Sequence, residues 1–230
     1  MNYLNALEMI HGELSPNNYV EIGCGHGKSL SLSRCQSLVI DPDFDITETV
    51  TAPVMFFSMT SDEFFRTHNI KQLLDNPVHF AFIDGMHKSE FVLRDFMNIE
   101  KNGHSGTVIA IDDVLPEQIA WASRERETKS WTGDVYKIVA ILRKYRPDLL
   151  VQVLDVRMKG LALITNINPA STILSENYSL IEMAILAGEY KIDSIRSIRD
   201  VAKPISANKL HGLLRDIKNK HARSMYDERK

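Results

Sequence analysis

Tyr19–Lys28 reads YVEIGCGHGK, a short apolar run that passes directly into three glycines at alternate positions. The run has the character of a buried strand, and Gly23, Gly25 and Gly27 let the backbone turn sharply and approach a ligand that a Cβ would exclude. Two later stretches, Phe82–Lys88 (FIDGMHK) and Val108–Val114 (VIAIDDV), read as buried strands that end in carboxylates. As parallel neighbours in one sheet, the three would gather the glycine turn with Asp84, Asp112 and Asp113 at one carboxyl edge. That edge is where open α/β sheets bind their ligands.

Working outward, short apolar runs at Tyr19–Ile22, Leu38–Ile40, Val54–Phe57, Val78–Ile83 and Thr107–Ile111 are separated by segments long enough for helices or crossovers. This alternation predicts an α/β fold with a parallel sheet covered on both faces. Leu149–Val156 and Leu161–Thr165 are joined only by Arg157–Gly160 and therefore form an antiparallel hairpin, because parallel neighbours need a long crossover. Helices are expected at Tyr3–Gly12, Ser61–Leu74, Ser89–Lys101, Asp134–Tyr145, Ser175–Glu189 and Asn208–Arg223.

The 230 residues, 44% of them hydrophobic, can bury a sizeable core. A formal charge of −3 gives the whole molecule no electrostatic case for nucleic acid. The charge is uneven: from Lys191 onward there are 11 Lys and Arg against 5 Asp and Glu. MNYLNALEMIHGEL has no basic stretch before an apolar core, and no later apolar run approaches the roughly 20 residues of a membrane span, so a cytoplasmic protein is expected. Cys24 and Cys35 fit neither a disulfide framework nor a zinc pattern.

Glu21 lies in the first strand just before the turn, and Asp41 ends the next apolar run about 20 residues on, where an acid can accept hydrogen bonds from ribose hydroxyls. The combination points to a nucleoside cofactor rather than a bare structural turn. A dinucleotide site prefers Gly-x-Gly-x-x-Gly, and here the third glycine falls one position early. Asp84, Asp112 and Asp113 supply hard oxygen ligands suited to Mg²⁺ or another divalent cation.

The order VEIGCGHG, VIDPD, FAFIDG, IAIDD and a closing hairpin resembles the class I S-adenosylmethionine-dependent methyltransferases over about Tyr19 to Thr165. The resemblance implies a Rossmann-like, doubly wound, seven-stranded sheet, mostly parallel with an antiparallel last strand. It implies a methyltransferase domain over residues 1–170 and a C-terminal helical appendage over 171–230. It also implies that Glu21, Gly23 and Gly25 shape the methionine end of the cofactor pocket and that Asp41 holds the ribose. Ser61 and Asp62 match a family position beside the adenine, although a helix N-cap accounts for them as well. The acidic trio is similar to that of metal-dependent small-molecule O-methyltransferases of the catechol and antibiotic-sugar types. There an Asp after the fourth strand and a pair after the fifth hold a divalent ion that binds neighbouring substrate hydroxyls. Catechol-type enzymes place a Lys three residues after the first metal Asp, whereas this chain has His87 there and Lys88 next. Histidine accepts a proton near neutral pH, so Asp84 and His87 become the catalytic candidates.

The expected function is therefore O-methylation of a small hydroxylated molecule, a sugar or secondary metabolite, with acceptor recognition in Val114–Trp131 and the C-terminal segment. The alternatives are a non-catalytic partner-binding protein working through the basic tail (Lys209, Arg215, Lys218, Lys220 and Arg223), and a nucleotide-linked oxidoreductase. Leu210, Leu213, Leu214 and Ile217 fall at helical spacing and would dock on the domain or on a second subunit, making a homodimer an option. Among weaker candidates, Asp95 on the helix Ser89–Lys101 resembles an acidic residue that the family often has near there, and an exposed helix face accounts for it equally well; His104 fits a turn before the fifth strand. Trp131 either lines the substrate opening or packs as a staple, with Asp134 capping the following helix.

Overall fold

The computed structural model describes residues 1–227, with side chains through Lys220. The strands are β1 Asn18–Ile22, β2 Gln36–Ile40, β3 Val54–Phe57, β4 Val78–Ile83, β5 Gly103–Asp112, β6 Leu150–Asp155, β7 Leu161–Thr165 and β8 Ile205–Ser206. They form one sheet in the order β3-β2-β1-β4-β5-β7-β6-β8. β7 runs antiparallel to both β5 and β6, and every other pairing is parallel. The strand order reverses between β1 and β4, and that switch point opens a crevice at their carboxyl ends.

The helices are α1 Tyr3–Leu14, α2 Ser61–Thr67, α3 Ile70–Leu74, α4 Ser89–Asn102, α5 Lys137–Tyr145, α6 Ile173–Leu186, α7 Ile195–Ala202 and α8 Leu210–Asp227. Strand alternation divides the core into two layers. Val20, Ile22, Ile109 and Ile111 face α2 to α7, whereas Tyr19, Phe80, Val108 and Ala110 face α1 and α8. Both faces are apolar because both are covered, which is why the strands read as continuous hydrophobic runs.

Several local differences from the sequence reading have simple causes. The helix expected at Ser61–Leu74 is two helices, because Asn69 leaves helical geometry and its side chain caps α3 at Lys71 N, 3.0 Å away. The Thr60 side chain caps α2 at Glu63 N, so Ser61 and Asp62 are first-turn residues rather than the cap. The approach to the fifth strand is itself strand: β5 begins at Gly103, and His104 lies within it. An eighth strand extends the seven that the resemblance implied. α7 ends at left-handed Lys203, Pro204 redirects the chain, and Ile205 pairs with Leu154 of β6. Arg143 holds this corner by donating to the carbonyls of Val201, Ala202 and Val151.

The C-terminal segment packs closely against the rest of the chain: Leu174, Ile181, Ile185 and Ile198 join one core layer, and Ala207, Leu210 and Leu214 the other. Of the basic tail residues, Lys218 donates to the Glu13 carbonyl at 3.0 Å, and the side chain of Arg223 lies outside the described residues.

His11 of α1 is wedged edge-on between Tyr19 and Phe80, with ring centroids 4.7 and 5.0 Å away. Burial, reinforced by Arg34, pulls its pKa down to about 4. The folded state thus takes up its proton later than the unfolded chain, and stability is lost as pH falls from about 6.5 through 4. His11→Phe should flatten that limb, which is worth up to roughly 3 kcal/mol, in thermal unfolding followed from pH 7 to pH 4.

Candidate active site

The glycine turn sits at the switch point under tight steric control. Gly23 has φ +82, and a Cβ there would lie 2.1 Å from the carbonyl oxygen of Asp84. The crossing is pinned on both sides, by Asp84 N donating to Ile22 O at 2.8 Å and by Gly23 N donating to Ile40 O at 2.9 Å. Gly25 also has positive φ, but no protein atom lies within 4 Å of where its Cβ would be. The first glycine serves the fold, and the second keeps space open beside a cavity of about 670 Å³, a size suited to a small-molecule site.

Gly23, Gly25, Asp41, Ser61, Asp62 and Asp84 all line this cavity. Asp41 Oδ2 accepts from Cys24 N at 2.7 Å and Gly25 N at 2.9 Å, and its Oδ1 accepts from Asp43 N at 2.9 Å. Its observed work is to brace the turn, with lone pairs remaining on the cavity side. Asp62 pairs with Arg94 at 2.6 Å. Glu21 is outside the lining: it is wholly buried behind the turn, where it accepts from Ser29 Oγ. Burial raises its pKa to about 8, against the hydrogen bonds of Ser29 and Tyr19. Asp95 does not lie on an exposed helix face. It is 1% exposed on the inner side of α4, and burial pushes it up to about 7.

Beside the turn, Asp84 follows β4, Asp112 ends β5, and Asp113 bends out of the strand with φ +65. His87 Nε2 stands 3.2 Å from Asp84 Oδ1, and its Nδ1 stands 3.0 Å from Asp113 Oδ2. The tight group is Asp84, His87 and Asp113, whose potential ligand atoms lie within 4.8 Å of one another; Asp112 stands outside it. Burial and then Asp84 raise Asp113 to about 6, with His87 and Lys159 opposing, while burial, Asp84 and Asp113 hold Asp112 well above the carboxylate range. Burial alone would lower His87, but the Asp84 hydrogen bond and the Asp113 charge leave it raised. Asp112 Oδ1 is buried with no hydrogen-bond partner among the described residues. Crowded, dehydrated carboxylates with an orphaned oxygen fit a hard divalent cation.

His87 is placed from the far side by the segment after β5. A Cβ on Gly133 would lie 1.7 Å from the His87 carbonyl oxygen, which instead accepts from Asp134 N at 3.2 Å. Asp134 caps α4, accepting from Ser89 N at 2.7 Å, and not the helix that follows it. It also binds Lys137 and Arg124, and these contacts overcome its burial and lower its pKa. Trp131 does not staple the sheet: its ring stacks on His87 at 5.2 Å, and its Nε1 donates to Ser123 O at 2.7 Å.

Sequence reasoning missed two residues. Tyr3 of α1 lines the cavity, and its pKa is raised by burial and then by Asp84, Asp112, Glu21 and Asp113. Lys159, in the β6–β7 turn, reaches Asp113 Oδ1 at 3.2 Å. Neither belongs to a motif; the one available signal was a lysine in a hairpin that closes over a carboxylate-ended strand.

Glu21 provides a direct check on the interior of the turn. Its folded-state pKa lies above its unfolded value, so its contribution to stability is full below about pH 4.5 and fades as pH rises through 8. Glu21→Gln keeps an oxygen for Ser29 and removes the ionisation. Its melting temperature should exceed that of the parent at pH 9 and converge with it at pH 5.

Residues 20–114 match a family model described as a methyltransferase domain. No curated protein matches the sequence. Among solved structures, the chain is similar to the O-methyltransferase TomG of Streptomyces achromogenes, involved in tomaymycin synthesis and solved with SAM: 14% identity, TM-score 0.51, covering 72% of this chain and 80% of that one. It is similar to the SAH-bound methyltransferase PaMTH1 of Podospora anserina, at 12% identity and TM-score 0.52, covering 72% and 78%. A candidate caffeoyl-CoA O-methyltransferase of Staphylococcus aureus shares 18% identity at TM-score 0.53, covering 71% and 82%. Residues 20–114 thus match a methyltransferase-domain model, and the chain shares the fold of these methyltransferase structures.

Proposed function

We propose that the chain is an S-adenosylmethionine-dependent O-methyltransferase that uses Mg²⁺ or another divalent cation to methylate a hydroxyl of a small molecule, a sugar or secondary metabolite. The reading is carried by one observation: the cavity that holds the glycine turn also holds Asp84, whose carboxylate stands 3.2 Å from His87 Nε2. The donor's methionine end would rest on Gly23 and Gly25, with Glu21 supporting the turn from behind. Its ribose would meet Asp41, and its adenine Ser61 and Asp62.

Asp84, Asp112 and Asp113 would hold the cation, which when bound lowers the pKa of a coordinated hydroxyl. His87 has the arrangement of an oriented base: the Trp131 carbonyl oxygen, 3.2 Å from Nδ1, accepts from Nδ1–H, and Asp113 Oδ2 stands beside it, so Nε2 on the Asp84 side is the nitrogen that would take the acceptor's proton. Trp131 stacks on one face of the imidazole and helps fix its orientation. Holding acceptor and sulfonium methyl at near-attack distance can supply roughly 7–11 kcal/mol of the rate enhancement. Residues 1–170 would form the catalytic domain and 171–230 a helical appendage. The exposed Leu180, Met183 and Leu186 of α6 support a homodimer. A cytoplasmic setting is supported by two free cysteines, and no described helix is long and apolar enough to cross a membrane.

The two glycines should separate fold from binding. Gly25→Ala should fold yet bind S-adenosylhomocysteine at least tenfold more weakly by calorimetry, whereas Gly23→Ala should lower the melting temperature sharply. Asp84→Ala and Asp112→Ala should keep S-adenosylhomocysteine binding and lose methyl transfer to hydroxylated acceptors, as should the parent protein in excess chelator. Undiminished turnover in both variants would sink the metal role.

A further inference from the structure

The hairpin between β6 and β7 does more than close the sheet. Leu115 N donates to Lys159 O at 2.6 Å, which fastens the hairpin tip to the chain two residues beyond Asp113. Gly160 has φ +69, and a Cβ there would lie 2.3 Å from Leu115 Cβ, so the two backbones are in direct contact. The position of Lys159 is therefore set by main chain. Its ammonium lies 3.2 Å from Asp113 Oδ1, 3.5 Å from Oδ2 and 3.4 Å from the Trp131 carbonyl oxygen.

Asp113 is 1% exposed at its side chain, so water cannot balance its charge, and the groups that face it are Lys159, His87 and the neighbouring carboxylates. A hard cation binds carboxylate oxygens at about 2.0–2.6 Å. On Asp113 that would place a double positive charge within a few ångströms of the ammonium. Both cannot occupy the carboxylate at full strength, since like charges this close, shielded from water, repel strongly. The Lys159 side chain is 26% exposed and carries a flexible four-carbon stem, so it has a route outward.

We infer that Lys159 is an internal counter-ion that holds the cation's place on Asp113, and that metal loading displaces its ammonium. The inference rests on the metal reading above. It makes Lys159 a positioning residue: it keeps the carboxylates assembled before loading and weakens cation binding by the work of its own displacement.

The test is calorimetric titration of the full-length protein with Mn²⁺ and with Mg²⁺, free of donor and acceptor. Lys159→Met keeps the stem and removes the charge. It should bind either ion about tenfold more tightly than the parent, while its metal-free form melts at a lower temperature and regains the difference on loading. Lys159→Arg retains a cation to be displaced and should stay within about threefold of the parent. Unchanged or weaker binding by Lys159→Met overturns the counter-ion role and leaves the metal reading standing. Failure of the parent and both variants to bind either ion overturns both.

Discussion

Much of the site depends on one steric constraint, the contact between the glycine turn and the end of β4. With 2.1 Å between the Asp84 carbonyl oxygen and the place a Cβ of residue 23 would occupy, only glycine allows β1 and β4 to finish side by side. That contact sets the first carboxylate directly against the turn. Because the order of the sheet reverses at the same point, the neighbouring helices leave on opposite faces and the crevice stays open. The proposed donor site and the proposed base are adjacent because two backbones touch there.

A second layer of support comes from buried charge. Asp134 joins Ser89 N, Lys137 and Arg124, and Arg124 continues to Glu90 of α4. These groups are largely removed from water, so losing one member would strand the others, and such a cluster holds its geometry firmly. It ties the start of α4 to the segment after β5, the two pieces of chain that fix His87. Arg146, fully buried between Glu100 and Asp148, plays the same part at the far end of α4. α4 is thus anchored at both ends by ion pairs and along its length by Val92, Leu93, Phe96 and Ile99.

The parts of the fold legible in the sequence were those governed by local rules. β3, β4 and β7 begin and end where their apolar runs do, and the antiparallel hairpin followed from a four-residue connection. The meeting of the glycine turn with Asp84 at one sheet edge followed from strand direction, whereas the tight group there takes in His87 and Asp113 and leaves Asp112 outside. What escaped was set by tertiary neighbours. Asp134 is placed like a cap for the helix after it, yet its partner is Ser89, 45 residues earlier. Asp95 looks like a surface acid until α4 is docked on the sheet. Tyr3 and Lys159 come from opposite ends of the domain to the same carboxylates, and nothing in their local sequence distinguishes them from a core aromatic and a turn lysine. β8 is two residues long, below any periodicity that could announce it.

That short strand has a consequence for how the molecule behaves in company. Without it, the whole of β6 would offer unpaired backbone groups along one margin of the sheet, the kind of surface on which another chain can align and propagate. β8 covers part of that margin, and being two residues long it is itself a poor template. At the other margin β3 has only four residues, and each marginal strand is entered from a proline, Pro53 and Pro204. Proline has no amide hydrogen to give. Both borders of an eight-stranded, strongly apolar sheet therefore end in segments that recruit neighbours badly, so the protein can keep such a sheet and remain a discrete particle at high concentration.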